Sequence, residues 1–187
     1  MDTFEVDTLL LGIHSPSFNS FEEILYIAKN KNIPVKKVAL GDKIKLGYNS
    51  GIQVMYPPNN YIIPVNETGN NSSVVIKYKY ANSSILFAGD IEVLSEGIIS
   101  NSELFLVSNL LKVPHHGSKT SSSTLFLGKV SPTDAIISVG DNNPYGHPFQ
   151  DVVERYQKNR ITVHRTDEDD AVIFRSEGEK FRLYNWK

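Results

Sequence analysis

Apolar positions along the chain fall into short runs that switch between a strand-like and a helix-like period. Thr8 to Ile13 is nearly continuous in apolar residues and predicts a buried strand. Phe21 to Lys31 carries Phe21, Ile24, Leu25, Ile27 and Ala28 at the spacing of an amphipathic helix, and Asn32-Ile33-Pro34 ends it. Val35 to Leu40 and Lys43 to Leu46 predict strands on either side of a Gly41-Asp42 turn. Ile52 to Tyr56 alternates and stops at Pro57-Pro58. Asn59 to Ser72, rich in Asn, Pro and Gly, predicts a loop. Ser73 to Tyr80 predicts a strand, joined through Ala81-Asn82-Ser83 to another that starts near Ile85.

Beyond this point the rhythm changes. Helices are predicted over Ile91 to Ser100, Ser121 to Lys129 and Asp151 to Asn159. Strands at Leu110 to Val113, Asp134 to Gly140 and Ile161 to Arg165 fall between and after them, with a loop from Asp141 to Gln150. Ala171 to Arg175 and Lys180 to Trp186 read as a closing hairpin. Hairpins thus dominate the middle, and strands alternate with helices in the second half. That pattern predicts a layered α/β arrangement with helices outside a mixed sheet. The length of 187 residues fits one domain over 1–187.

Two of the apolar runs end in chemistry. Ile85-Leu86-Phe87-Ala88 stops at Gly89-Asp90, and Leu110-Leu111-Lys112-Val113 stops at Pro114-His115-His116-Gly117-Ser118. Adjacent strands would deliver one carboxylate and two imidazoles to one edge of a sheet. Oxygen and imidazole ligands together suit a divalent metal such as Zn or Mn. The same residues also allow Asp90 to cap the following helix and the histidines to sit in a turn.

Composition narrows the chemistry. The chain has no cysteine, which removes disulfides and thiolate ligands and leaves His, Asp and Glu. A formal charge of -2 gives no global electrostatic case for nucleic acid, although a metal-dependent enzyme can cut a polyanion without one. No segment approaches the ~20 apolar residues of a membrane span. The acidic run Asp167-Glu168-Asp169-Asp170 lacks the oxygen spacing and the Gly of a calcium loop and reads as a solvated turn. His14 and His164 sit beside strand-like segments and read as surface or structural residues.

Several separated blocks carry a family resemblance. They are Leu40-Gly41-Asp42-Lys43-Ile44, Asn71 with Ser73-Val74-Val75, Leu86 to Glu92, Leu110 to Ser118, Ser138-Val139-Gly140 with Asn143, Tyr145-Gly146-His147-Pro148, and Arg165-Thr166-Asp167. In order and spacing they resemble the metallo-β-lactamase-fold domain of the ComEC family of competence proteins. The resemblance implies an αββα sandwich and metal-assisted hydrolysis of a phosphodiester. It further implies two divalent ions, Zn or Mn, and DNA as substrate. Asp90 resembles the carboxylate that bridges the ions. One of His115 and His116 resembles a ligand, with His116 favoured. His147 resembles a late-motif histidine that binds metal or phosphate. Ser118, Lys119, Ser121 and Asn143 are the matching candidates for substrate binding, and for the Ser121-Ser122-Ser123 run simple capping is an equal reading.

One departure is large. The family takes most of its ligands from a His-x-His-x-Asp-His motif near the N-terminus, and no such motif occurs in this sequence. The chain therefore resembles the later part of the domain, incomplete at its N-terminus, with partial metal occupancy or none expected. The parent would be a bacterial membrane channel protein carrying this domain as a soluble unit, on the outer face of the cytoplasmic membrane. The other reading is a non-catalytic remnant that pairs as a homodimer through exposed sheet edges, and a related hydrolase acting on a smaller phosphoester is a third.

Overall fold

The structure, a computed structural model, describes residues 4–12, 19–62, 64, 67 and 69–184, with residues 19 and 20 described as backbone. His14 lies outside the described residues.

A seven-stranded sheet forms the middle of the molecule, in the order β3 (Lys43–Gly47), β4 (Ser50–Tyr56), β5 (Val75–Tyr80), β6 (Ser83–Phe87), β7 (Leu110–Lys112), β8 (Asp134–Ile137) and β9 (Thr162–Arg165). The β3 to β6 half is antiparallel, as short turns between alternating runs require. The β6 to β9 half is parallel. Parallel neighbours need crossovers, and α2 (Val93–Ser100), α3 (Thr124–Val130) and α4 (Gln150–Lys158) lie in the three connections. The change of period along the sequence is therefore the change of strand polarity in the sheet.

Leu86, Leu111 and Ala135 stand side by side in register on one face. They are fully buried in a core with Ile99 of α2, Phe126, Leu127 and Val130 of α3, and Val152 and Tyr156 of α4. On the opposite face lies a second, two-stranded parallel sheet of β1 (Leu9–Leu11) and β2 (Val35–Lys37), connected by α1 (Asn19–Asn30). Leu10 and Val38 from this unit line an apolar groove of about 510 Å³ with Ile44, Ile52, Ile76 and Phe87 of the main sheet. The order is thus helix, small sheet, large sheet, helices, a mixed αββα layering.

Two expectations are adjusted. The run predicted as a strand to Gly140 ends at Ile137, because the Val139 N–H donates to Thr166 Oγ1 at 2.8 Å and that hydroxyl donates back to the Val139 carbonyl at 2.6 Å. A side chain replaces the ladder there. The acidic run forms one helical turn, α5 (Thr166–Asp169), wrapped around Arg165. Arg165 pairs with Asp167 and Glu168 at 2.6 Å each, and this holds the Asp167 carboxyl below its ordinary range. The closing hairpin is β10 (Phe174–Arg175) with β11 (Arg182–Leu183). No helix among the described residues is long and apolar enough to cross a membrane.

Candidate metal and phosphate site at the strand ends

Three neighbouring parallel strands end on the same side of the sheet: β6 leads to Asp90, β7 to His115 and His116, and β8 to the loop of His147. Phe87 and Lys112 are register partners, so Asp90 and His115, each three residues further on, leave the sheet at matching heights. The His115 N–H donates to the Gly89 carbonyl at 3.1 Å and ties the two ends together. From β8 the chain continues through Ser138 into the loop that carries His147. Crevices beyond the carboxyl ends of parallel strands are the usual ligand positions of such sheets.

The local backbone is unusual at these ends. His115, His116 and Gly117 all have positive φ, at 47°, 53° and 81°. Such a conformation is costly for two successive residues with side chains and is held by its surroundings. It turns the adjacent imidazoles in different directions. His116 Nδ1 lies 2.6 Å from the Ser138 carbonyl, which can only accept, so Nδ1 carries the proton. Its Nε2, on the other side of the ring, lies 3.6 Å from Asp90 Oδ1. His115 turns the other way. Its Nδ1 lies 3.3 Å from Glu92 Oε1 at ion-pair distance without hydrogen-bond alignment, and its Nε2 lies 3.4 Å from the Asn70 side-chain amide.

His147 completes the cluster. Its ring centroid is 5.5 Å from that of His115, with Tyr145 stacked at 5.9 Å and Phe149 edge-on at 5.5 Å. Burial holds its imidazole below the ordinary histidine range, helped by His115 and His116 and opposed by Asp90. His147 thus feels all three of the other groups. Asn143 clamps this loop: its amide donates to the His147 carbonyl at 2.7 Å and accepts from the His147 N–H at 3.0 Å. Lys112 stands beside Asp90, and burial lowers its amine while that carboxylate works against the shift.

The remaining substrate-binding candidates have internal partners. Ser121 is fully buried and its hydroxyl lies 3.0 Å from the carbonyls of both Pro114 and Ser118. The Ser118 and Thr120 hydroxyls are 3.1 Å apart. At the start of α3 the anion is internal: Glu96 accepts from the Ser122 and Ser123 N–H groups, and Ser123 caps Phe126. Lys119 is the exposed member of the set, with Nζ 4.5 Å from the Phe149 ring centroid.

Residue pattern alone did not single out Glu92, Glu96 or Asn70. Asn71, noticed only as part of a block, is a buried hub. Its Oδ1 accepts from the Glu92 N–H at 3.0 Å and its carbonyl accepts from Tyr56 Oη at 2.8 Å. Thr120 in turn donates to Glu92 at 2.7 Å.

Comparison with known proteins gives this arrangement its context. The chain is 32% identical over 154 residues to ComE operon protein 3 of Bacillus subtilis (strain 168), covering 82% of this chain and 19% of that protein. It is 36% identical over 106 residues to Competence protein ComA of Neisseria gonorrhoeae, covering 56% and 15% of the two chains. It is also 36% identical over 114 residues to Recombination protein 2 of Haemophilus influenzae, covering 61% and 14%. The chain belongs to the ComEC family of competence proteins. No protein-family model matches it. This ComEC-family chain spans less than a fifth of the length of those relatives, as the 19%, 15% and 14% coverages show. Among solved structures, a mutant of the CmlA beta-hydroxylase superimposes with a TM-score of 0.51 over 84% of this chain and 38% of that one, at 12% identity. The neighbour has the metallo-β-lactamase fold, which is therefore the fold of this chain.

The donors present fit a divalent ion only in part. Asp90 and His116 face each other, and the Ser138 carbonyl fixes the tautomer of His116 as partners of metal-bound histidines do. Yet among the described residues no three His, Asp or Glu side chains come together closely enough to hold a metal, and zinc sites use at least three protein ligands. Two ions are not accounted for by the described residues.

Proposed function

We propose that this ComEC-family chain is part of a metal-dependent phosphodiester hydrolase domain acting on DNA. The observation that carries the proposal is the Asp90 carboxylate facing Nε2 of His116 across 3.6 Å at the ends of two parallel strands. That pair suits one side of a divalent ion, Zn or Mn, which when bound supplies positive charge next to the scissile phosphate. Further donors must come from outside the described residues. Of the chain's own groups, His147 is kept toward its neutral form by burial and so can donate one N–H to a phosphate oxygen. Lys119, resting on Phe149, offers a cation at the rim. His115 acts through its neighbours, because its ring faces Glu92 and Asn70. In this reading the domain is the soluble nuclease unit of a larger DNA-uptake membrane protein, on the outer face of the cytoplasmic membrane.

The test has two readouts. In the intact domain, with Mn or Zn, Asp90→Ala is expected to abolish cleavage of linear DNA. In the chain itself, metal content after dialysis against Zn is expected to fall in both Asp90→Ala and His116→Ala. Undiminished cleavage by Asp90→Ala would remove the role given to that carboxylate.

The second reading, self-association, is favoured by the apolar groove between the sheets. Phe87 and Leu10 on its walls are 40% and 41% exposed. Light scattering is expected to show a dimer that Phe87→Lys dissociates. A monomer at high concentration would leave the hydrolytic reading alone.

A further inference from the structure

A second groove lies on the antiparallel half of the sheet; it shares Ile44 and Ile52 with the first groove but none of the groups at the strand ends. Its volume is about 550 Å³. Lys43, Gln53 and Lys77 pair across β3, β4 and β5, and Lys45, Gly51 and Lys79 form the next row on the same face. Residues two apart on a strand share a face and stand about 7 Å apart. In these rows two strands supply the lysines, and the strand between them supplies a neutral amide and a glycine. All four lysines line the groove and no carboxylate does.

The lysines divide into one anchor and three free cations. Lys77 Nζ donates to the carbonyls of Phe105 and Val107 at 3.0 and 2.6 Å and lies 5.0 Å from the Phe105 ring centroid. It pins the segment that brings Phe105 to the groove. Lys43, Lys45 and Lys79 are exposed and form no ion pair with a carboxylate among the described residues. Two aromatic rings stand in the open beside them: Phe105 is 73% exposed, and Tyr48, in the turn between two lining residues, is 89% exposed.

Like charges in paired rows repel, and exposed aromatic rings gain nothing from water. Each finds a use against a polyanion with flat bases. Lysines that follow a backbone and rings that accept stacked bases are the two components of single-strand recognition without base reading. We propose that this groove binds single-stranded nucleic acid, with Lys43, Lys45 and Lys79 on the phosphates and Phe105 and Tyr48 stacking on bases. A duplex keeps its bases stacked inside and would leave both rings unused. The inference extends the hydrolytic reading by giving the nucleic acid a second foothold away from the strand ends, and it rests on that reading only for the strand's destination.

The experiment is fluorescence anisotropy of a labelled single-stranded 20-mer with the 187-residue chain, in excess chelator so that nothing turns over. The triple variant Lys43→Ala, Lys45→Ala, Lys79→Ala is expected to bind at least tenfold more weakly. Its plot of log affinity against log salt should flatten by about 2, since each single-strand phosphate contact contributes about 0.7. Phe105→Ala is expected to weaken binding about tenfold with the salt slope unchanged. Wild-type affinity in the triple variant would overturn the proposal. So would equal binding of heparin or duplex DNA with no effect of Phe105→Ala, which would make the groove a general anion surface. Because binding is read without hydrolysis, failure here leaves the cleavage test standing, and failure there leaves this one standing.

Discussion

Glu96→Ala is expected to destabilise the chain by about 4 kcal/mol, although this carboxylate touches neither candidate site. Glu96 is 0% exposed, and its two oxygens accept from the N–H groups of Ser122 and Ser123 at the entrance to α3. Ser122 is also fully buried and holds a positive φ of 61°. Truncation would strand one buried and one part-buried donor, each worth about 1–3 kcal/mol when left unpaired, and would leave a void besides. Arg155, which donates to the Ser121 and Ser122 carbonyls, would lose its neighbouring charge as well. Urea denaturation reads the effect directly, and a loss below about 1 kcal/mol would mean that water replaces the carboxylate. Glu96→Gln keeps an acceptor and is expected to cost less. The pair also differs in pH response. Burial raises the Glu96 carboxyl above its ordinary 4.5, with the Ser122 and Ser123 bonds and Arg155 opposing. A raised folded value means that the folded state holds the proton more tightly. This contribution is therefore full below the ordinary value and is lost as pH rises through the folded value. Glu96→Gln should remove that decline from the stability profile.

The second large effect concerns the turn that separates the histidines. In Gly117→Ala the new Cβ would lie 2.6 Å from Pro148 Cβ and 3.2 Å from Pro148 Cα, at a φ of +81°. Pro148 cannot step aside easily, because Phe149 donates its N–H to the Gly117 carbonyl at 3.0 Å. Backbone strain and overpacking together are expected to cost about 3 kcal/mol and to push the His147 loop away from His115 and His116. Gly146→Ala is the comparison. Gly146 also has a positive φ, 66°, but its Cβ would meet nothing within 4 Å, so only strain of about 1 kcal/mol is expected. Equal losses in the two variants would show that the Pro148 contact carries no weight. Thermal denaturation gives the stabilities, and the His147 imidazole resonances report the displacement.

The parts of the molecule that were readable in advance are those where one physical rule dominates. The change from hairpins to alternating strands and helices appears at β6 because crossover helices and parallel pairing are one geometric fact. Asp90, His115 and His116 fall at the ends of apolar runs, so their arrival at one sheet edge follows from strand register. The Gly-His-Pro loop was placed by family resemblance, and its approach to the others depends on the Gly117–Pro148 contact, which no local pattern encodes. Support residues were hidden for a related reason. Asn71 sits inside a stretch whose composition predicts only a loop, and it acts through Tyr56, Glu92 and Ser95, which lie between 15 and 24 positions away. The serine run could serve a ligand or a helix start equally well until Glu96, 26 residues earlier, is seen to occupy its N–H groups.

The run of left-handed residues from His115 to Gly117 has one more consequence. In a regular strand two successive side chains point to opposite faces, and in a helix they diverge by about 100°. Here the chain reverses its hand, so two identical imidazoles one peptide apart are assigned to different trades. One is turned toward Asp90, and the other is braced against Glu92 from within. Sequence redundancy at this doublet is therefore only apparent: the two rings have different neighbours, and a change at either position removes a different set of contacts.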